Sequence, residues 1–343
     1  MTAPTLPARA EEDARLRPVS WRRMAWVTWR QHRTVLAGVA VPLGVLAVYL
    51  WLAGLALHHA WIAVAACHPA SSLACQEAIS NFNDTYGSRA QAAEFLLQAV
   101  PALIGAFVGA PVLARELETG TFRYTWTQGF GRWRWTLAKL VPLAIAVAVA
   151  AGALSVLFSW YVQPLFADGN QTPLAPIVFD LRGVAFAAWT LASFAIGALA
   201  GMLIRRVVPA IAAALAAYVG FALAVGVFLR QHYAAPLVTS NLNVPSSGWI
   251  MSQWWTKGGR FVFAGRPPVG LAMQICPLPT AGFSKPSPGT IWQCFVQHGY
   301  TQWTSYQPAG RFWPFQWIEG GWLLALSVLL IAVAVWLVRR RAS

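Results

Sequence analysis

Residues 115–139 read RELETGTFRYTWTQGFGRWRWTLAK, a charged and aromatic island between two apolar runs, roughly Phe95–Leu113 and Leu140–Val162. Each flanking run approaches or exceeds the ~20 residues an α-helix needs to cross a bilayer. The island breaks at Gly120-Thr121 and again at Gly129-Phe130-Gly131, so it cannot be one continuous helix. Thr121 is suited to cap a short helix over Phe122 to Gln128 that Gly129 would end. The pattern predicts a short polar helix held between two membrane helices, the shape a contact with another protein needs.

Four more apolar runs lie outward from the island, at roughly Thr34–Leu57, Gly183–Ile204, Val207–Phe228 and Gly320–Val338. Bounded in this way, none of the six contains Asp, Glu, Lys or Arg. Only Arg205-Arg206 separates the fourth run from the fifth, which requires an antiparallel hairpin. The chain is 57% apolar and 10% charged, against roughly 25% charged in soluble domains, with a mean hydropathy of +0.52. Its 19 tryptophans suit a protein with many membrane–water boundaries, where Trp is enriched. The expected fold is an all-α polytopic membrane protein with six transmembrane helices.

A net charge of +14 raises the question of nucleic acid, and the distribution of the charge answers it. With the N-terminus in the cytoplasm, seventeen of the 25 basic residues fall on that side: seven before the first run, five in the island, Arg205 and Arg206, and Arg339 to Arg341. Six of the remaining eight sit in one long segment, where the positive-inside rule has little weight. The excess is an orientation signal, which predicts cytoplasmic N- and C-termini and argues against nucleic-acid binding.

The segments differ in character. Residues 1–17 are rich in Ala, Pro, Arg and acids and read as a disordered tail. Residues 18–33 contain SWRRMAWVTWRQHR, in which Trp21, Trp26 and Trp29 alternate with Arg22, Arg23 and Arg30. This reads as a helix lying at the cytoplasmic interface, with a plain basic flank to the first span as the alternative. Residues 34–228 hold the first five runs and the cytoplasmic loop 114–139. Residues 229–316, 88 in all, carry ten of the 22 prolines and six tryptophans, too much for a passive loop, and are expected to form an ordered external cap. Residues 317–343 contain the sixth run and a basic cytoplasmic tail.

All four cysteines, Cys67, Cys75, Cys276 and Cys294, fall in predicted external segments. Four cysteines allow three pairings; proximity in the chain favours Cys67–Cys75 and Cys276–Cys294 in an oxidising compartment. Cys67-His68 beside Cys75 does not match a tetrahedral zinc pattern, so a metal site is not expected.

Several motifs are missing. There is no GxxxxGK[ST], so the chain has no phosphate-binding loop and is not expected to hydrolyse ATP. No carboxylate lies inside the bounded runs, which argues against proton or sodium coupling. GxSxG and HExxH are absent as well. Anything this protein moves must draw its energy from a partner.

With six spans, internal termini and an N-terminal interfacial helix, the chain resembles the permease subunits of ABC-2-type exporters. Such permeases often carry an E-x-E-x-G-T segment followed by an Arg and a Lys leading into the third span. The matching residues here are Glu116, Glu118, Gly120, Thr121, Arg132 and Lys139. Thr28 to Arg33, TWRQHR, resembles actinobacterial members. The family's usual Pro after the mid-loop helix is replaced by Gly129-Phe130-Gly131.

The resemblance implies a pathway formed by two permease copies, expected as a homodimer in the bacterial plasma membrane, with two separate ATPase subunits below that bind the ATP and Mg. No cofactor is expected on this chain. The helix Thr121–Gln128 would receive the ATPase stroke, with Glu116, Glu118, Gly120, Thr121, Phe122, Arg123, Trp126 and Arg132 as coupling residues. Glu116 and Glu118 can pair with Arg115, Arg123 or Arg132, or with the ATPase. Phe122 and Trp126 share a helical face that suits either an ATPase groove or the bilayer surface. Gly105 and Gly109 in the second run and Gly197 and Gly201 in the fourth favour close helix packing over a gate. Spans without fixed charge favour hydrophobic or amphipathic cargo. A polytopic membrane enzyme and an ATPase-linked force transmitter are the rival readings.

Overall fold

The computed structural model describes residues 21–68, 72–120, 132–167, 172–240, 244, 247–276 and 288–341. The expected coupling helix Thr121–Gln128 lies outside them, as do the tail 1–17 and the island residues Thr121, Phe122, Arg123 and Trp126.

The described chain is mostly helical, with six helical stretches long and apolar enough to cross a membrane. The first is α1 (Trp21–Ala65). The second runs through α2 (Leu73–Ile104), a π-helical turn at Gly105–Gly109 and α3 (Ala110–Thr119). The third is α4 (Arg132–Tyr161), followed by the short helices α5 (Gln163–Ala167) and α6 (Pro176–Asp180). The fourth and fifth, α7 (Gly183–Ile204) and α8 (Val207–Ala224), form the expected hairpin. Arg205 closes their turn at φ 59°, a left-handed conformation unusual for a residue with a side chain, and donates its N–H to Gly201 O.

Three sequence expectations change. Residues 21–33 are not a separate interfacial helix; they continue without a break into the first span. Nothing in SWRRMAWVTWRQHR stops a helix, since it lacks Pro and Gly. The stretch 58–94, read as a loop, is largely helical, so the second membrane helix reaches from Leu73 to Thr119. At 1.5 Å per residue that is roughly 70 Å, far more than the ~30 Å hydrocarbon core. The protruding ends of α1 and α2 are tied by the Cys67–Cys75 disulfide, with Cα atoms 5.8 Å apart. The contact of Trp61 on α1 with Phe82 on α2 reinforces the tie.

The third change is that the fold is not all-α. Residues 229–316 contain a four-stranded antiparallel sheet in the order β1-β4-β2-β3, built from β1 (Leu237–Thr239), β2 (Trp249–Lys257), β3 (Arg260–Ala264) and β4 (Tyr300–Gln307). Its strands are rich in Trp, Tyr, Phe, Thr and Val, which suit a pleated surface. The Gly258-Gly259 turn supplies the positive φ of the β2–β3 hairpin. Trp255, Cys276, Phe295 and Tyr300 form a small core under α9 (Val269–Ile275) and α10 (Pro288–Gln297). The Cys276–Cys294 disulfide joins these helices' ends. Beyond β4, a 3-10 turn at Ala309–Arg311 leads into α11 (Phe312–Arg341), the sixth span.

Candidate functional site

At the Gly120 end of the bundle, α3 stops because Gly120 takes the left-handed conformation at φ 71°. The two acidic residues just before it have partners within the chain. Glu116 forms an ion pair with Lys139 at the start of the third span. Lys139 is buried, and its ammonium also lies 4.5 Å from the Trp135 ring centre. Glu118 Oε2 accepts the backbone N–H of Val207 at 2.9 Å, supplying a partner for one of the free amides that begin α8. The fifth helix starts with Arg206 and Val207, which have no capping side chain of their own. The E-x-E pair thus joins the ends of the second and third spans to the start of the fifth.

This differs from the sequence reading, which left these carboxylates to Arg115, Arg123, Arg132 or an ATPase. Lys139 was identified in the motif but not as the partner of Glu116. Arg132 begins α4, and its side chain is outside the described residues, as are those of Trp21, Arg22 and Arg23. Trp26 and Trp29 are exposed, and Arg30 stacks over Trp26 at 5.4 Å.

In the middle of the bundle, the four glycines form one seam between the second and fourth spans. A Cβ on Gly109 would lie 2.5 Å from Phe194 O and 3.2 Å from Gly197 Cα. One on Gly197 would lie 2.8 Å from Ala110 N and closer still to Gly105 O. A Cβ on Gly105 would strike Ser193, and one on Gly201 would strike Ala110 O. These helices touch backbone to backbone, so the packing role holds at all four positions. The π turn at Gly105–Gly109 falls on this seam, and such turns recur where helices have functional irregularity.

The sheet end holds a polar cluster that the sequence reading missed. Arg230 is fully buried. Its Nε donates to Glu319 Oε2 at 3.0 Å and its Nη2 to Glu319 Oε1 at 2.7 Å. Nη1 donates to Pro176 O at 3.0 Å, and Nη2 also pairs with Asp180. Trp189 Nε1 donates to Glu319 Oε1 at 2.8 Å. Beside them Gln316 accepts from Ala185 N at 2.8 Å and donates to Phe179 O at 3.0 Å. A buried charge is tolerable when paired and hydrogen-bonded in this way. Burial pushes the Asp180 carboxyl above its ordinary range, and the Arg230 guanidinium opposes that push. Burial also lowers Arg182 to about 10; its guanidinium rests over Phe166 and Phe312 at 4.4 and 5.0 Å.

Bounding the sixth run at Gly320 left Glu319 just outside it. In the structure Glu319 lies within α11 and is fully buried, and Glu94 is buried within α2. The expectation that membrane helices carry no carboxylate is therefore corrected. The partners of Glu319, Arg230 and Trp189, lie 89 and 130 residues away in the chain, separations that no local pattern reveals.

Six apolar helices packed along a glycine seam, with polar tie points at both ends of the bundle, mark a multi-pass membrane protein. The family model described as ABC-2 membrane transporter related matches residues 39–230. That is more than half of the 343 residues, and the chain belongs to this family. No curated protein and no solved structure matches it.

Proposed function

We propose that this chain is the permease subunit of an ATP-driven exporter in the bacterial plasma membrane, working as a dimer with two separate ATPase subunits. The N- and C-termini and the loop 114–139 face the cytoplasm, as the Lys/Arg distribution favours, and residues 229–316 face outward. Two disulfides at the sheet end agree with an oxidising exterior.

One observation carries the reading: the Glu116–Lys139 pair and the Glu118–Val207 hydrogen bond converge on the ends of the loop 114–139. A push delivered to that loop by an ATPase would reach the second, third and fifth spans together. Thr121–Gln128 is the segment that receives the push, with Phe122, Arg123 and Trp126 as its contacts. Glu116, Glu118 and Gly120 hold the receiving frame, and Trp26, Trp29 and Arg30 steady the neighbouring end of α1 at the bilayer surface. The cargo is hydrophobic or amphipathic, in keeping with the apolar spans.

The test is co-purification with a co-expressed ABC ATPase subunit that has no membrane spans of its own, followed by ATP-driven movement of a lipophilic dye in vesicles. Phe122→Ala/Arg123→Ala/Trp126→Ala should lose the ATPase while the permease stays folded. Retention of normal ATPase binding and stimulation by that variant would defeat the coupling assignment. Coupling without any transport would favour the force-transmitter reading.

A further inference from the structure

A groove runs along the membrane-facing seam between the first and second spans. Its main cavity measures about 930 Å³ and is lined by α1 and the second span, among them Pro42, Leu46, Val100, Leu103 and Phe107. Every lining residue except Tyr49 is apolar. Val45, Leu96, Leu103 and Phe107 are each about half exposed or more, so the trough opens sideways. Two features of α1 leave it open: Gly38 has no side chain and nothing lies within 4 Å of where one would start, and Pro42, inside the continuous helix, carries only its small ring and donates no backbone N–H.

Toward the Gly120 end, a second cavity of about 350 Å³ shares Phe107 with the first and changes character. Arg115, Glu116 and Thr119 line it. Glu116 is neutralised by Lys139, whereas Arg115 is exposed and makes no ion pair among the described residues. The groove therefore passes from a trough that is apolar except for Tyr49 to Arg115, the one uncompensated cation among the described lining residues of the second cavity. The main cavity falls within the roughly 300–1,000 Å³ typical of small-ligand sites.

We propose that this groove holds an anionic phospholipid of the surrounding leaflet, with an acyl chain along the trough and the headgroup phosphate at Arg115. A guanidinium presents a planar fork of donors to phosphate oxygens, and the trough offers a chain the same apolar contact on both sides. The inference rests on the six spans lying in a bilayer and is independent of the ATPase coupling. Failure of that coupling would appear in the pull-down and leave lipid retention untouched.

The experiment uses the full chain in mixed micelles containing equal phosphatidylglycerol and phosphatidylcholine, with bound lipid counted by native mass spectrometry. Wild type should retain phosphatidylglycerol over phosphatidylcholine by about fivefold, equivalent to the roughly 1 kcal/mol of one basic residue at a membrane surface. Arg115→Gln should bring the two lipids to parity. Leu103→Trp and Val45→Trp, at exposed positions the fold does not depend on, should reduce retention of both lipids by more than half. Unchanged preference in Arg115→Gln, or unchanged retention in both tryptophan variants, would overturn the proposal. So would a second copy filling the trough, read as efficient Val45→Cys cross-linking between copies with no lipid bound.

Discussion

Replacing Gly109 with Ala tests the seam between the second and fourth spans. The new Cβ would sit 2.5 Å from Phe194 O, about 0.9 Å short of the 3.4 Å at which ordinary contact begins. Both near neighbours, Phe194 O and Gly197 Cα, are backbone atoms, so no side-chain rotation relieves the clash. The helices must separate along a seam where each of four glycines faces the opposing helix. Overpacking of a tight core costs about 1–3 kcal/mol, and a backbone-limited site belongs near the upper half of that range. The expected result is a fall of roughly 4 °C in the melting temperature of the detergent-solubilised protein, followed by intrinsic tryptophan fluorescence. Gly220→Ala is the matched control, because nothing lies within 4 Å of a Cβ there. Helix propensity alone should make that change stabilising by about 0.5–1 kcal/mol. Equal melting temperatures for the two variants would refute the reasoning, since they would show that the close approach is not what limits residue 109.

Lys139→Met should destabilise the protein by about 1–3 kcal/mol, because it strands the Glu116 carboxylate, and adding Glu116→Gln should restore part of the loss in a double-mutant cycle of thermal melts. Arg230→Leu leaves Glu319 buried without its cation and should cost about 3–5 kcal/mol, read as loss of monodisperse protein on gel filtration. Asp180→Asn should be milder, because its side chain retains 18% exposure. Cys276→Ser/Cys294→Ser opens a loop of 18 residues' separation and should loosen the sheet by about 3 kcal/mol. Limited proteolysis should then cut within 247–307 while the six spans stay resistant.

The number of spans and the four-five hairpin were legible because apolar runs of membrane length leave few alternatives for the backbone. The four glycines were legible as packing residues from their spacing, although the sequence could not say which helices they join. Helix ends were less legible: the runs were cut where hydrophobicity stopped, whereas α1 and α2 continue as helices well past that point. The sheet was missed because its strands hide among prolines and tryptophans, and β4 pairs with β2 across some fifty residues. At the island, the acids were recognised but not their partners. Lys139 is 23 residues from Glu116 and Val207 is 89 from Glu118, so only the assembled bundle brings them together. Arg230 and Glu319 escaped for the same reason, each standing at the margin of an apolar run.

Strand β4 is paired on both sides and enters the sixth span after only Pro308 and one 3-10 turn. Gln307 Nε2 and Arg311 Nη1 also donate to the carbonyls of Ala234 and Ala235 just beyond the fifth span, at 2.7 and 2.6 Å. The sheet is thus mounted on two membrane helices at once, like a pointer on a spindle. A small tilt between those helices would sweep the free β3 edge through a larger arc. A probe fixed near Phe261, an exposed residue of that edge, would report motion between the two helices.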